Sequence, residues 1–416
     1  MSWQSNFWMA LELRNAEIFP NDVYAGEVIE AAKSFAMNEL RTLIQREQTW
    51  LSKIKKKSKR ISNWIPTEII LEIMLKLPVE SLLRCKSVCK EWYSLISDQS
   101  FIKTHYTLSS TNNINYEHHR LIYNTFEQRN NLKVCPLSNL MFDKSVNNAL
   151  LLENPLQQTR SQRISIVGSC NGLVCLLVED DNNLFISNPC TRTSNILPCS
   201  KQGAVSWGVS YGFGYDEMTH DYKVVKIRRC KPTWSYWGTM IYSVKAGSWK
   251  KIGRFPCAYP SNDVKFLNGA LHWGAGDVGS GSWHIVSLDL GKETYGEVLQ
   301  PEYDEGSKIL TLGVWGEWLM KVYEVKDSWT KLLSIPHLND QNSIPLYVEI
   351  HAPLCISNDG KLLLQLGKML VVYDCINGSC SMIQNFDGFL NACIVVGSLI
   401  SPFAPLGLGD NNGDEN

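Results

Sequence analysis

Three widely spaced dipeptides constrain this chain more than any other feature. Asn171-Gly172, Asn268-Gly269 and Asp359-Gly360 each sit among short runs of β-branched and aromatic residues. Each pair precedes further strand-like runs in the same way, so the three mark one recurring unit. The runs, among them RISIVGS, GLVCLLVE, NLFISNP, KVVKI, MIYSV, ALHW, HIVSLDL, KLLLQL and MLVVYD, are divided by Gly, Asn, Asp and Pro, with no long helical pattern between them. From Gly172 to Gly269 is 97 residues and from Gly269 to Gly360 is 91. A second pattern joins Ser248-Trp249-Lys250-Lys251-Ile252 to Ser328-Trp329-Thr330-Lys331-Leu332. A period of roughly 45–50 residues with four short strands per unit predicts β-propeller blades over residues 162–405.

Residues 61–106 follow a different period. Half are apolar, 23 of 46. Pro66 suits a first helical turn, where its missing N–H costs nothing. Ile65, Ile69, Ile73 and Leu77 then step at i+4, with Ile70 and Met74 on a flanking stripe. Pro78 stops that helix; Val79 to Lys86 predicts a second, and Val88 to Ser97 a third. Three helices in under 50 residues lie near the lower limit for a self-sufficient core. Each large aliphatic side chain left in water forgoes roughly 1.5–3 kcal/mol, so the surplus requires either a partner surface or the following domain.

Ahead of this module, residues 23–54 carry Ile29, Ala32, Ala36, Leu40, Leu43, Trp50 and Ile54 at helical spacing and no Pro. The helix runs into KIKKKSKR, six of eight residues basic, which reads either as a nuclear import signal or as a solvated linker. The 416 residues carry a net charge of −1, and residues 61–416 hold 30 basic against 34 acidic side chains, too little excess to grip nucleic acid. Thirteen cysteines, an odd number without a CxxC pair, read as reduced thiols and offer no zinc spacing. Neither a secretory leader nor an apolar span of membrane length is evident, so cytosol or nucleus is expected, with no membrane partner.

The helical module is recognisable residue by residue. Ile65-Pro66-Thr67-Glu68-Ile69-Ile70, Ile73 through Arg84 (IMLKLPVESLLR), Ser87 through Trp92 (SVCKEW) and Leu95 through Asp98 (LISD) closely resemble the plant F-box motif, with Ile65 where Leu is usual. The later zone resembles the plant F-box-associated domain, itself similar to kelch-like propellers, through GSCNGLVCL at 168–176, SNPCTR at 187–192, YGFGYDEMTHDYKVVKI at 211–227, NGALHW at 268–273, MKVYEVKDSWTKL at 320–332 and PLCISNDGKLLLQL at 353–366. Between Leu310 and Met320 a strand pair usual in the family is nearly absent, which predicts an incomplete blade.

The resemblance implies a multidomain α+β chain: an N-terminal helical extension and basic linker (1–60), an F-box (61–106), a connecting segment (107–161), an all-β F-box-associated propeller (162–405) and a disordered tail (406–416). It further implies docking on a Skp-type adaptor, and through it a cullin, in a ubiquitin ligase. Ile65, Pro66, Ile69, Ile73, Leu77, Pro78, Leu82, Leu83 and Trp92 would meet the adaptor by helix-in-groove packing. Val88, Cys89 and Leu95 would close the module's own core, with Trp92 at its edge.

Motifs that suggest catalysis lack their context. Gly208-Val209-Ser210-Tyr211-Gly212 has the G-x-S-x-G form of a nucleophile elbow, which needs a strand before the serine and a helix after it; here a turn and a strand follow. Gly274 to Gly279 has the G-x-G-x-x-G form without a βαβ unit. His272, beside Trp273 in a strand, reads as packed or hydrogen-bonded. No catalytic residue, metal or cofactor is expected. Recognition of a target protein is assigned to Trp234, Tyr236 and Trp237 in a Trp/Tyr/Arg-rich loop; the competing reading packs the tryptophans between blades. A propeller scaffold with its helices packed in cis, or a degenerate paralogue without a target, stands as the alternative to a ligase subunit.

Overall fold

A computed structural model describes residues 67–111, 116–125, 131–146, 149–152, 163–180, 182–198, 208–230, 237–276, 283–298, 354–357, 359–366, 369–384 and 391–403. The expected N-terminal helix and basic run, Ile65, Pro66, the shortened stretch within 310–320, the Ser328–Leu332 repeat and the tail lie outside the described residues.

Four helices come first: α1 Thr67–Lys76, α2 Val79–Cys85, α3 Lys90–Ile96 and α4 Gln99–Thr111. The first three fall where the i+4 pattern and Pro78 put them. Helix α4 was not expected. It starts at Asp98, whose Oδ1 accepts the backbone N–H of Ser100 (2.8 Å) and Phe101 (3.2 Å). Its buried face is Phe101, Ile102, His105 and Ser109, so polar residues occupy half of the inward positions and mask the hydrophobic period.

The described chain divides into two compact units, one of residues 67–75 and 85–101, the other of residues 76–84 and everything from Ile102 on. The second unit holds five four-stranded antiparallel sheets among the described residues. Blade 1 runs in the order β20 (Asn391–Val396), β1 (His119–Asn124), β2 (Leu132–Pro136), β3 (Leu150–Leu152). Blade 2 is β4 (Ile164–Cys170), β5 (Leu173–Val178), β6 (Asn183–Asn188) and β7 (Thr193–Leu197). Blade 3 is β8 (Val209–Asp216), β9 (Asp221–Arg229), β10 (Trp237–Ser243) and β11 (Ser248–Arg254). Blade 4 is β12 (Tyr259–Leu267), β13 (Ala270–Gly276), β14 (Trp283–Asp289) and β15 (Thr294–Val298). Blade 5 is β16 (Cys355–Ile356), β17 (Lys361–Leu366), β18 (Met369–Asp374) and β19 (Ser379–Met382).

This corrects the expected boundary. The segment 107–161 is no mere connection: it supplies β1, β2, β3 and a π-helical turn at Asn139–Asp143 that buries Leu140 and Met141. Strand β1 was missed because HRLIYN is short and begins with two polar residues.

Apolar clusters join successive blades. Leu121 and Tyr123 of blade 1 meet Leu363 and Val372 of blade 5. Ile122 meets Val174 and Phe185 of blade 2. Leu173 and Ile186 meet Phe213 and Val224 of blade 3, and Val225 and Ile241 meet Leu271 and Trp273 of blade 4. Strands inside a blade are therefore covered on both faces: β5 and β13 are apolar along most of their length, β9 is buried from Asp221 to Ile227 although Asp221, Lys223 and Lys226 lie within it, and the outer β11 and β19 are mostly exposed.

The ring is tied by its ends. Strand β20 pairs with β1 from His119↔Val396 to Asn124↔Asn391. Asn124 Nδ2 donates to the Ile164 carbonyl (2.5 Å), and Asn391 Oδ1 accepts the Ile166 N–H (3.2 Å), stitching blade 1 to blade 2. Buried Asn188 donates to the carbonyls of Ser398 (2.9 Å) and Ile400 (2.8 Å), while its Oδ1 accepts from the Cys190 N–H (2.9 Å).

Two of the repeat-marking pairs close hairpins. Asn171-Gly172 (φ 51° and 77°) and Asn268-Gly269 (φ 48° and 77°) close the first hairpin of blades 2 and 4. A Cβ on Gly172 would lie 2.6 Å from the Val396 carbonyl oxygen and 2.5 Å from Ser398 Cβ, whereas one on Gly269 would meet nothing within 4 Å. Both sites carry the left-handed strain of about 1–2 kcal/mol, but only the first also presses on the closing strand. Gly172→Ala is thus expected to lower the urea midpoint clearly more than Gly269→Ala; equal shifts would contradict the packing of the β20 end on this turn.

One ion pair is buried between blades 3 and 4. Lys223 Nζ lies 2.9 Å from Asp216 Oδ2, donates to the Leu290 carbonyl (2.6 Å) and stands 3.6 Å from Glu293. Burial would raise the Asp216 carboxyl, but the Thr219 hydroxyl, the Lys223 ammonium and the Met218 amide outweigh it and hold the group below the ordinary 3.8. A carboxyl depressed in the folded state adds stability above its unfolded value and loses it as pH falls through the folded one. Lys223→Met, which strands the carboxylate, is expected to cost about 3–5 kcal/mol at pH 7. The deficit relative to wild type should shrink below about pH 4, as Asp216 takes up a proton; urea titrations at the two pH values check both statements.

Candidate adaptor face and recognition end

Helix α1 has Glu68 in its first turn and Lys76 in its last, each favourable to the helix dipole. Leu71, Met74 and Leu75 form its buried side, while Ile69 and Ile73 are 47% and 52% exposed. The i+4 row picked out in the sequence is thus the outward row, and the core of α1 is built by the row beside it. Two isoleucines one turn apart remain in water, in line with the surplus of apolar side chains counted over 61–106.

The remaining predicted contacts divide. Leu77 and Pro78 are half-buried, the Leu77 carbonyl engaged by His105 Nε2 (2.8 Å). Leu82 must be corrected: with Val79 it forms the fully buried side of α2 and is unavailable for docking. Its helix belongs to the propeller unit, where Glu80 Oε1 and Arg120 Nη2 pair at 2.6 Å and Val79 Cγ2 lies 3.5 Å from where a Gly397 Cβ would be. Leu83 and Trp92 are half-buried. Cys89 caps α3, its Sγ accepting the Trp92 N–H at 3.5 Å, and Leu95 is buried. Val88 was expected in the core and is 63% exposed, because it sits in the turn between α2 and α3, where its N–H donates to the Cys85 carbonyl (3.1 Å). Tyr93, on α3, is 58% exposed beside Lys86, whose Nζ is 5.7 Å from the ring centre.

Ser210 lies in β8 and is followed by the β8–β9 turn, not a helix. Its hydroxyl donates to the Ser261 carbonyl (2.9 Å) and accepts from Trp273 Nε1 (3.2 Å), so it ties blade 3 to blade 4 and is not poised as a nucleophile. His272 is fully buried and burial pushes its imidazole down to about 4, which keeps it neutral. The described cysteines form no disulfide, and no group of three or more metal-ligating side chains occurs among the described residues.

The two ends of the propeller differ. At one end the β4–β5, β6–β7, β8–β9, β10–β11, β12–β13 and β14–β15 connections are short turns, and here β1 begins, β20 ends and Arg120 holds α2. At the other end several of the segments between described strands are longer in sequence, 153–163, 198–208, 230–236 and 277–282. Of the predicted target-binding residues, Trp234 and Tyr236 lie outside the described residues. Trp237 is corrected: it is buried at the start of β10, its indole N–H donating to the Ala258 carbonyl. Exposed at the same end is Tyr259, the first residue of β12. Sequence reading missed it because it belongs to the next blade and only the fold brings it beside β9.

A family model described as F-box-like matches residues 64–107, and one described as the F-box associated beta propeller domain matches residues 125–384. The F-box/kelch-repeat protein At3g23880 of Arabidopsis thaliana is 31% identical over 365 residues, covering 81% of this chain and 96% of that protein. The F-box protein CPR1 of the same plant is 27% identical, covering 81% of this chain and 88% of that protein. Helices that leave an apolar row in water, a propeller tied by its two ends and these likenesses converge: the chain belongs to the plant F-box proteins that carry an F-box-associated β-propeller.

Proposed function

We propose that the protein is the substrate-recognition subunit of a Skp–cullin–F-box ubiquitin ligase. The exposed Ile69–Ile73 row carries this reading, because a helix presenting apolar side chains at i and i+4 is what a groove on a Skp-type adaptor accepts. Ile65 and Pro66, which the F-box resemblance also assigns to the adaptor, extend the same row in sequence. The cullin is reached through the adaptor. The propeller holds a target protein at its longer-loop end, where recognition on a rigid scaffold belongs, and ubiquitin transfer follows from proximity, the transferring thiol being supplied by the ligase's other subunits.

The rival reading, a propeller scaffold with its helices packed only in cis, draws support from the burial of Val79 and Leu82. It leaves Ile69 and Ile73 exposed without a role. Covering the exposed half of two isoleucines contributes roughly 1.5–3 kcal/mol, so Ile69→Asp/Ile73→Asp is expected to cut adaptor recovery on co-purification at least about tenfold while the thermal midpoint stays near that of wild type. Leu82→Ala should do the reverse, lowering the midpoint through a cavity worth about 2–5 kcal/mol. Undiminished adaptor recovery with the double aspartate variant would count against docking by this row.

A further inference from the structure

The longer-loop end of the propeller holds a cation in an unusual setting. Arg229, the last residue of β9, stands opposite Trp237 in the β9–β10 register. Its guanidinium carbon lies 5.3 Å from the Trp237 ring centre and 5.9 Å from the Tyr259 ring centre. The tryptophan is fixed: its N–H is bound by the Ala258 carbonyl, and Gly208, at φ +84°, clears space for it, since a Cβ there would come within 2.9 Å of the ring. The tyrosine is 50% exposed. One wall of the slot is therefore rigid and the other open.

Arg120, Arg163 and Lys223 each face a carboxylate. Arg229 meets two rings instead and no carboxylate among the described residues. Rings satisfy the flat faces of a guanidinium; its five N–H donors lie at the edge and are suited to a planar, bidentate acceptor. Arg228 and Arg254, which flank Gly238 in the blade 3 register, fall on the other face of the sheet because side chains alternate along a strand. Among the described residues a single fork thus serves the Tyr259 side, matched to one negative charge.

We infer that this slot anchors an acidic segment of the target protein: an Asp or Glu carboxylate accepts two N–H bonds from Arg229 while a neighbouring apolar group of the segment lies on Tyr259. The inference rests on the reading that the longer-loop end receives the target. Nucleic acid fits less well, since a net charge of −1 and one outward fork lack the extended basic footprint that phosphate backbones require.

The test uses the full chain, immobilised, with a random twelve-residue peptide library displayed on phage as the probe. Selected peptides should be enriched in Asp and Glu next to an aromatic or aliphatic residue. A synthetic peptide from that set should bind Arg229→Ala at least about tenfold more weakly. Arg229→Lys should recover only part of the loss, and Tyr259→Ala, at an exposed position, should weaken binding with an unchanged thermal midpoint. A selection without acidic bias would overturn the inference, as would Arg229→Ala binding within about twofold of wild type, a requirement for phosphoserine in place of Glu, or displacement of the peptide by equimolar single-stranded RNA. Adaptor recovery by the Arg229 variants is a separate readout: if it holds while Arg229→Ala binds the peptide as wild type does, the slot assignment falls and the ligase reading stands.

Discussion

The pairing of β20 with β1 is the interaction on which the propeller depends. Every other described blade is made from strands consecutive in sequence, each hairpin paying only a local closure cost. Blade 1 alone draws its innermost strand from nearly 270 residues away, Asn124 against Asn391. Around that seam the molecule concentrates buried amide side chains: Asn124 accepts the Asn391 N–H and donates to the Ile164 carbonyl, and Asn188 donates to the carbonyls of Ser398 and Ile400. Apolar packing between blades is broad and tolerant of small changes; these amides are directional. They set which backbone atoms meet, and so fix the register in which the ring shuts.

The same end of the propeller carries the second helix of the F-box. Glu80 and Arg120 pair there, His105 reaches the Leu77 carbonyl, and the chain after β20 passes Val79 and Cys190. Burial of Val79 and Leu82 makes α2 part of the propeller unit, whereas Ile69 and Ile73 of α1 stay outward. A motif that looks uniform in sequence is thus split in the fold: part of it is internal structure and part is left exposed. The opposite end, with its longer connections, is where Arg229 and Tyr259 are presented.

Much of this was legible in the chain itself. The recurring Asn-Gly and Asp-Gly pairs marked the blade repeat, the switch in period separated helices from strands, and the i+4 row of isoleucines marked the outward face of α1. What failed did so for identifiable reasons. Leu82 and Ile69 are equally apolar, and only the neighbours of α2 decide that one is covered. Val88 fits a helical stripe until the turn that contains it is known. Trp237 carries the composition of a contact residue, but its indole N–H finds a carbonyl in the β11–β12 connection and its ring becomes a wall. Helix α4 escaped notice because His105 and Ser109 occupy inward positions, and β1 because HRLIYN is short and opens on His119 and Arg120.

The late position of β20 also sets a timetable. A ribosome makes the chain from its N-terminus, and domains begin to fold as they emerge. The F-box helices and β1 are finished early, yet β1 waits with an unpaired inner edge until residues 391–396 leave the exit tunnel. Throughout elongation the nascent protein therefore presents an open strand edge, a template for wrong pairings. Chaperone demand should be greatest in that interval, and premature termination anywhere before Asn391 yields a chain that carries its F-box helices without the strand that completes blade 1.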